Sequence, residues 1–207
     1  MRSQQPDTVT FEGETYELIG AWGVGLFDPE KYGIPTVAPH TACGRGFIAA
    51  YDVRARQLYL RSLSIWSERS LPALFGVEAT ESGADDGEAR HTVVPMLGGC
   101  REGTYGFTDA QVPFTGGLRL GREFVGEGYP TMESDPPWFY ATVHDLTLED
   151  GWLVDAIDRS AEMASARARA PREGDEVATG RTVGATHRVV LDRATRGRRP
   201  LRRGGTK

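Results

Sequence analysis

Cysteine and lysine are scarce in this chain of 207 residues, which holds two cysteines, Cys43 and Cys100, and two lysines among its 24 basic residues. Two cysteines allow at most one disulfide, so no disulfide framework can hold the fold, and a reducing cytoplasm keeps both as free thiols. Long apolar runs are missing as well. No stretch approaches the ~18–20 apolar residues of a membrane-crossing helix, and the opening Met1-Arg-Ser-Gln-Gln-Pro-Asp has no signal-peptide apolar segment. A cytoplasmic protein without membrane contact is expected. The last fifty residues contain no Phe, Trp or Tyr and are rich in Arg, Ala, Gly and Thr. With so little to bury they predict a disordered basic tail over 171–207.

The net charge of −5 hides a split, because from Arg159 onward thirteen Lys or Arg face five Asp or Glu, while the earlier residues set eleven against twenty-four. An acidic body therefore carries a basic tail. Such a tail suits association with nucleic acid or an acidic partner. Near-exclusive use of Arg over Lys equally fits a compositional bias toward Arg, Ala and Gly.

What is present is strand pattern and turn chemistry. In Gly46 to Val53 the side chains of Phe47, Ala49, Tyr51 and Val53 fall on one face of an extended strand. Arg54-Ala-Arg-Gln57 then reads as a four-residue connection to Leu58-Tyr59-Leu60, with the second strand running on toward Trp66. Glu12-Gly13-Glu14 and Glu149-Asp150-Gly151 mark two more hairpins. Asp28-Pro29 through Gly33 reads as one capped helical turn. Glu78 to Arg90 reads as a solvated loop, and Val93–Leu97, Thr104–Phe107 and Val112–Leu120 as strands or turns into strands. In Trp138 to Leu148 the apolar parity slips at His144-Asp145, which predicts a β-bulge there. Asp155 to Ala170 has no Gly or Pro and predicts a short helix. The expected architecture is one mainly β, mainly antiparallel domain over 1–155, a sandwich or partly open barrel, with a helix over 156–170 and the tail beyond.

The Phe11-x-Gly13-x-x-Tyr16 opening, Thr41-Ala-Cys-Gly-Arg-Gly-Phe47, Pro113-Phe-Thr-Gly-Gly-Leu118 and the closing Leu-Thr-Leu-Glu-Asp-Gly hairpin resemble a group of small uncharacterised bacterial β-rich proteins. The likeness spans about residues 10 to 155 and implies a fold without an established activity. This chain departs from the pattern at Gly44, where the group commonly has a large aromatic residue, and it adds the acidic loop and the basic tail.

Several chemistries have partial signals. His40 and Cys43 have a ligand-like spacing, but zinc needs three or four converging ligands and no second tight pair accompanies them, so no metal and no cofactor is expected. Cys43 as nucleophile would need its thiol activated by Arg45 or a histidine, whereas a half-buried turn residue is the ordinary reading. His144 beside Asp145 is the histidine best placed for acid-base work. The paired glycines lie in strand turns rather than in a strand-to-helix phosphate loop.

The leading expectation is a noncatalytic cytoplasmic binding or regulatory protein, of which immunity proteins are one kind, with an unidentified protein partner. Its rival is a small-ligand binder or enzyme with a pocket at the sheet mouth, lined by Arg45, Tyr51, Arg119 and His144. A third reading is nucleic-acid association through the tail.

Overall fold

Two-residue turns organise the chain, of which the computed structural model describes residues 5–82, 100–126 and 136–169. Strand β1 (Thr8–Phe11) turns into β2 (Glu14–Val24) through Glu12 and Gly13, at φ 52° and 83°. Next, β3 (Phe47–Arg54) turns into β4 (Gln57–Ser67) through Ala55 and Arg56, at φ 48° and 64°. Positive φ at both central positions matches the turn to the right-handed twist of the strands it joins. The connection expected to take four residues takes two, because Arg54 and Gln57 are themselves paired. After β5 (Thr80–Ser82), β6 (Arg101–Gln111) and β7 (Thr115–Phe124), strand β8 (Tyr140–Glu149) turns into β9 (Trp152–Asp158) through Asp150 and Gly151. Helix α1 (Ser160–Arg169) follows.

The strands join in the order β3-β1-β2-β7-β8-β9-β4-β6-β5, and β3 also pairs with β4. Seven strands thus make a ring, from which β6 and β5 extend. All pairings are antiparallel except β1 with β3. This is the mainly β, partly open barrel anticipated from the sequence. Closure between β9 and β4 rests on one pair, Gln57 with Trp152, because β6 occupies the β4 edge from Tyr59 onward. Val9, Tyr51, Leu60, Leu118, Leu120 and Leu146 fill the interior and are buried.

No bulge interrupts β8 at His144-Asp145, contrary to the expectation. The β7 pairing keeps one register from Gly116–Leu148 to Phe124–Tyr140, and the β9 register shifts instead between Thr147 and Leu148. The parity slip has another cause: β8 is buried on both faces. Leu146 and Leu148 enter the barrel core, while Val143 joins Tyr140 and Met163 in a second cluster beneath α1. Arg167 of α1 donates to the carbonyls of Trp138 and Tyr140 at 2.6 and 2.7 Å, pinning the helix there. That helix starts later than expected, since β9 continues through Asp158.

Other expectations divide. Residues 29–32 form a 3-10 turn with Asp28 accepting from the Glu30 amide at 3.1 Å and Gly33 at φ 68°, as the capping pattern indicates. The stretch expected to be a loop from Glu78 contains β5, paired with β6. The Val93–Leu97 strand and the 171–207 tail lie outside the described residues. Among the described residues no helix is long and apolar enough to cross a membrane.

One buried carboxylate ties the start of β1 to the loop before β3. Asp7, 6 % exposed, accepts from both terminal nitrogens of Arg45 at 2.8 and 2.9 Å and from the Ala49 amide at 2.8 Å. Gly46 makes the approach possible: its φ is 71°, and any Cβ there would collide with the backbone of Val37 and with Thr36. Asp7→Ala, which orphans the Ala49 amide, is expected to cost about 2–4 kcal/mol in chemical denaturation. Arg45→Ala should cost a comparable amount, about 2–4 kcal/mol, because it strands the buried Asp7 carboxylate with the Ala49 amide as its remaining donor.

Candidate functional site

The four residues proposed to line one pocket occupy three different settings. Arg45 is engaged with Asp7, and its guanidinium lies 4.7 Å from the centre of the Phe47 ring. Burial opposes its charge, but Asp7 more than compensates and keeps the guanidinium protonated. Tyr51 is in the core, 1 % exposed, where its hydroxyl accepts from the Phe27 amide at 3.3 Å and burial pushes its phenol far up. Arg119 faces outward on β7 and forms a two-pronged pair with Asp145 at 2.6 and 2.8 Å. Asp145 thereby raises the Arg119 pKa despite burial. His144, the neighbour of Asp145, points to the opposite, inner face. There its ring stands edge-on to Phe11 at 5.7 Å and Tyr16 at 5.4 Å.

Cys43 is buried, with its thiol 3.7 Å from the Phe47 carbonyl, and burial pushes its pKa up, the reverse of what a nucleophile needs. His40 turns its ring toward Trp66, at 6.5 Å. Among the described residues no group of three or more His, Cys, Asp or Glu is placed to hold a metal ion.

The register points to a surface instead. Paired residues of neighbouring strands share a face, and Leu118, Leu146, Leu148 and Leu153 fix the inner one. On the outer face one row therefore runs Trp22, Gly117, Thr147, Asp155, and beside it lie Val24, Thr115, Glu149 and Trp152. Small side chains occupy the middle and tryptophans the flanks, three strand steps or ~15 Å apart. The result is a shallow trough. Trp22, 52 % exposed, lies flat across Gly117, where any Cβ would run into its indole ring. Trp152 is 53 % exposed and stands at the barrel seam.

Beneath one end of the trough the Arg119–Asp145 pair is joined by Arg159, which links β9 to α1 and lies 3.2 Å from Asp145; it also reaches Glu162 of α1 at 3.1 Å. This network couples helix and sheet. The Arg119 guanidinium lies 5.8 Å from the Trp22 ring, so the same arginine supports the trough's near wall. At the far wall Glu149 and Asp155 are exposed and take part in no salt bridge among the described residues. Ile157, 37 % exposed, follows them on the same face.

Neither tryptophan stood out in the sequence, although Trp152 directly follows the Asp150-Gly151 turn, a signal that it flanks a hairpin. Which face it takes depends on the register across four strands. No protein-family model, curated protein or solved structure matches the chain.

Gly117→Ala should lift Trp22 off the sheet at a cost of about 1–3 kcal/mol. Near-ultraviolet circular dichroism, compared with Trp22→Phe, reads the displacement; a spectrum identical to the parent's would mean that the ring does not rest on Gly117.

Proposed function

We infer that this chain is a noncatalytic binding protein that docks a protein partner with a basic surface into the trough between Trp22 and Trp152. The observation that carries the reading is the grouping, on one sheet face, of two half-exposed tryptophans with carboxylates that have no ion-pair partner among the described residues. Tryptophan and arginine dominate the energetics of protein interfaces, and a half-exposed indole gains most when a partner dries it. The acidic balance of residues 1–158, twenty-four Asp or Glu against eleven Lys or Arg, favours a basic partner by steering and by complementarity. Glu149 and Asp155 supply acceptors for its Lys or Arg side chains, and the indoles supply cation–π faces.

A second exposed aromatic group supports less. Tyr32 and Phe75 pack on one another at 5.5 Å, and Phe75 rests on Phe107 at 5.5 Å, so these rings already cover one another in part.

Affinity capture with the intact chain tests the proposal when run in parallel with three folded variants. A basic protein should be retained by the parent and by Phe75→Ala, and lost or weakened at least about tenfold by Trp22→Ala with Trp152→Ala and by Glu149→Gln with Asp155→Asn. Retention that is indifferent to the trough variants would reject the trough as the binding surface.

A further inference from the structure

The inner face opens at the end of the barrel opposite the trough's tryptophans, where β9 runs past the β4 edge and leaves Ala156 and Asp158 exposed. Register places Phe11, Glu14 and Tyr16 of the first hairpin, Arg122 of β7, His144 of β8 and Asp158 of β9 around this mouth. Tyr16 is the central group. It is 6 % exposed, yet its hydroxyl has no hydrogen-bond partner among the described residues and is not sealed off from solvent. Burial pushes its phenol up; Arg122 opposes this, while Glu14, Glu12 and Asp158 add to it.

The balance of those charges is unequal. Three carboxylates, Glu12 of the β1–β2 turn, Glu14 of β2 and Asp158 of β9, act on the Tyr16 phenol against one guanidinium, that of Arg122, whose carbon sits 5.4 Å from the centre of the Tyr16 ring and which is paired with Glu14 and, at 3.8 Å, with Glu123. Arg122 is poorly satisfied where it lies, because its Nε is buried with no hydrogen-bond partner among the described residues. Asp158 keeps its charge, since the Ser160 side chain and amide both stabilise its carboxylate, the amide at 2.8 Å, with a smaller contribution from His144.

We propose that this mouth is a binding site for a small organic cation, an alkylammonium or guanidinium compound, with Arg122 as its resident competitor. The ligand's charge answers the surplus carboxylates Glu12, Glu14 and Asp158, its N–H groups donate to the Tyr16 hydroxyl, and its carbon skeleton lies against Phe11 and the His144 ring. Arg122 fills part of that role in the free protein and must yield when the ligand enters. Removing it should therefore improve binding, the reverse of what an anion site would show.

Nuclear magnetic resonance titration of the full chain tests this, with methylammonium, guanidinium and agmatine as probes and acetate as the anionic control. At least one cation should give saturable shifts confined to the neighbours of Tyr16, His144 and Asp158, and acetate none. Glu12→Gln and Asp158→Asn, both at exposed positions, should each weaken binding about fivefold, and Arg122→Gln should tighten it about fivefold. Absence of saturable shifts in both the parent and Arg122→Gln, binding unchanged in Glu12→Gln and Asp158→Asn, or preference for acetate would overturn the proposal. Loss of binding on Arg122→Gln with the fold intact would overturn the competitor role.

Discussion

One edge of β4 serves two strands in succession, β6 from Tyr59 onward and β9 at Gln57 alone. Backbone geometry makes this possible: the Leu58 amide donates to the Gly151 carbonyl, the Val112 amide to the Leu58 carbonyl and the Gly151 amide to the Phe114 carbonyl, so two chain reversals meet against one strand. No second strand can then follow β9 along β4. The ring closes over one pair and stays open beyond it, where Arg56 covers part of the free edge by donating to the carbonyls of Leu153 and Val154 at 2.6 and 3.3 Å. Trp152 is held at the seam by this arrangement, and Asp158 is left at the open mouth. Both surfaces to which binding is ascribed thus follow from one shared edge.

Arginine in this body serves mainly to fasten elements together. Arg45 joins a loop to the first strand through Asp7, Arg159 joins Asp145 of the sheet, which Arg119 also holds, to Glu162 of the helix, and Arg167 holds α1 through two carbonyls. Each planar fork finds a fixed set of acceptors, a task for which Lys is a poorer substitute. Buried pairs of this kind add little net stability against an apolar alternative, but losing one partner leaves a stranded charge, so they fix arrangement more than they add energy. Arg122 stands apart because its Nε has no hydrogen-bond partner among the described residues.

Local signals in the sequence carried through where a turn or cap determines them. Asp28, Pro29 and Gly33 act as their types suggest, and the Glu12-Gly13 and Asp150-Gly151 hairpins fall where expected. The misreadings come from tertiary context. A strand covered by a core on one side and by a helix on the other presents apolar residues of both parities, and β8 consequently resembles a bulged strand. Arg119 and Arg122 differ by three positions and so lie on opposite faces; choosing which one meets His144 requires knowing the inner face. The same missing register hid Tyr16 and Asp158 as neighbours of His144, and it concealed that Trp22 and Trp152 flank one trough. Cys43 and Arg45 were correctly placed before a strand, yet nothing local announced Asp7, 38 residues away, as the partner of Arg45.

The trough is tested most directly by placing a photo-crosslinking amino acid at Thr147, in its floor, in cells that make the protein, with a matching position at exposed Tyr32 as control. Irradiation is predicted to give a discrete covalent adduct with a basic protein from position 147 and not from position 32. An identical adduct pattern at both positions, or adducts at 147 with nucleic acid alone, would contradict the account.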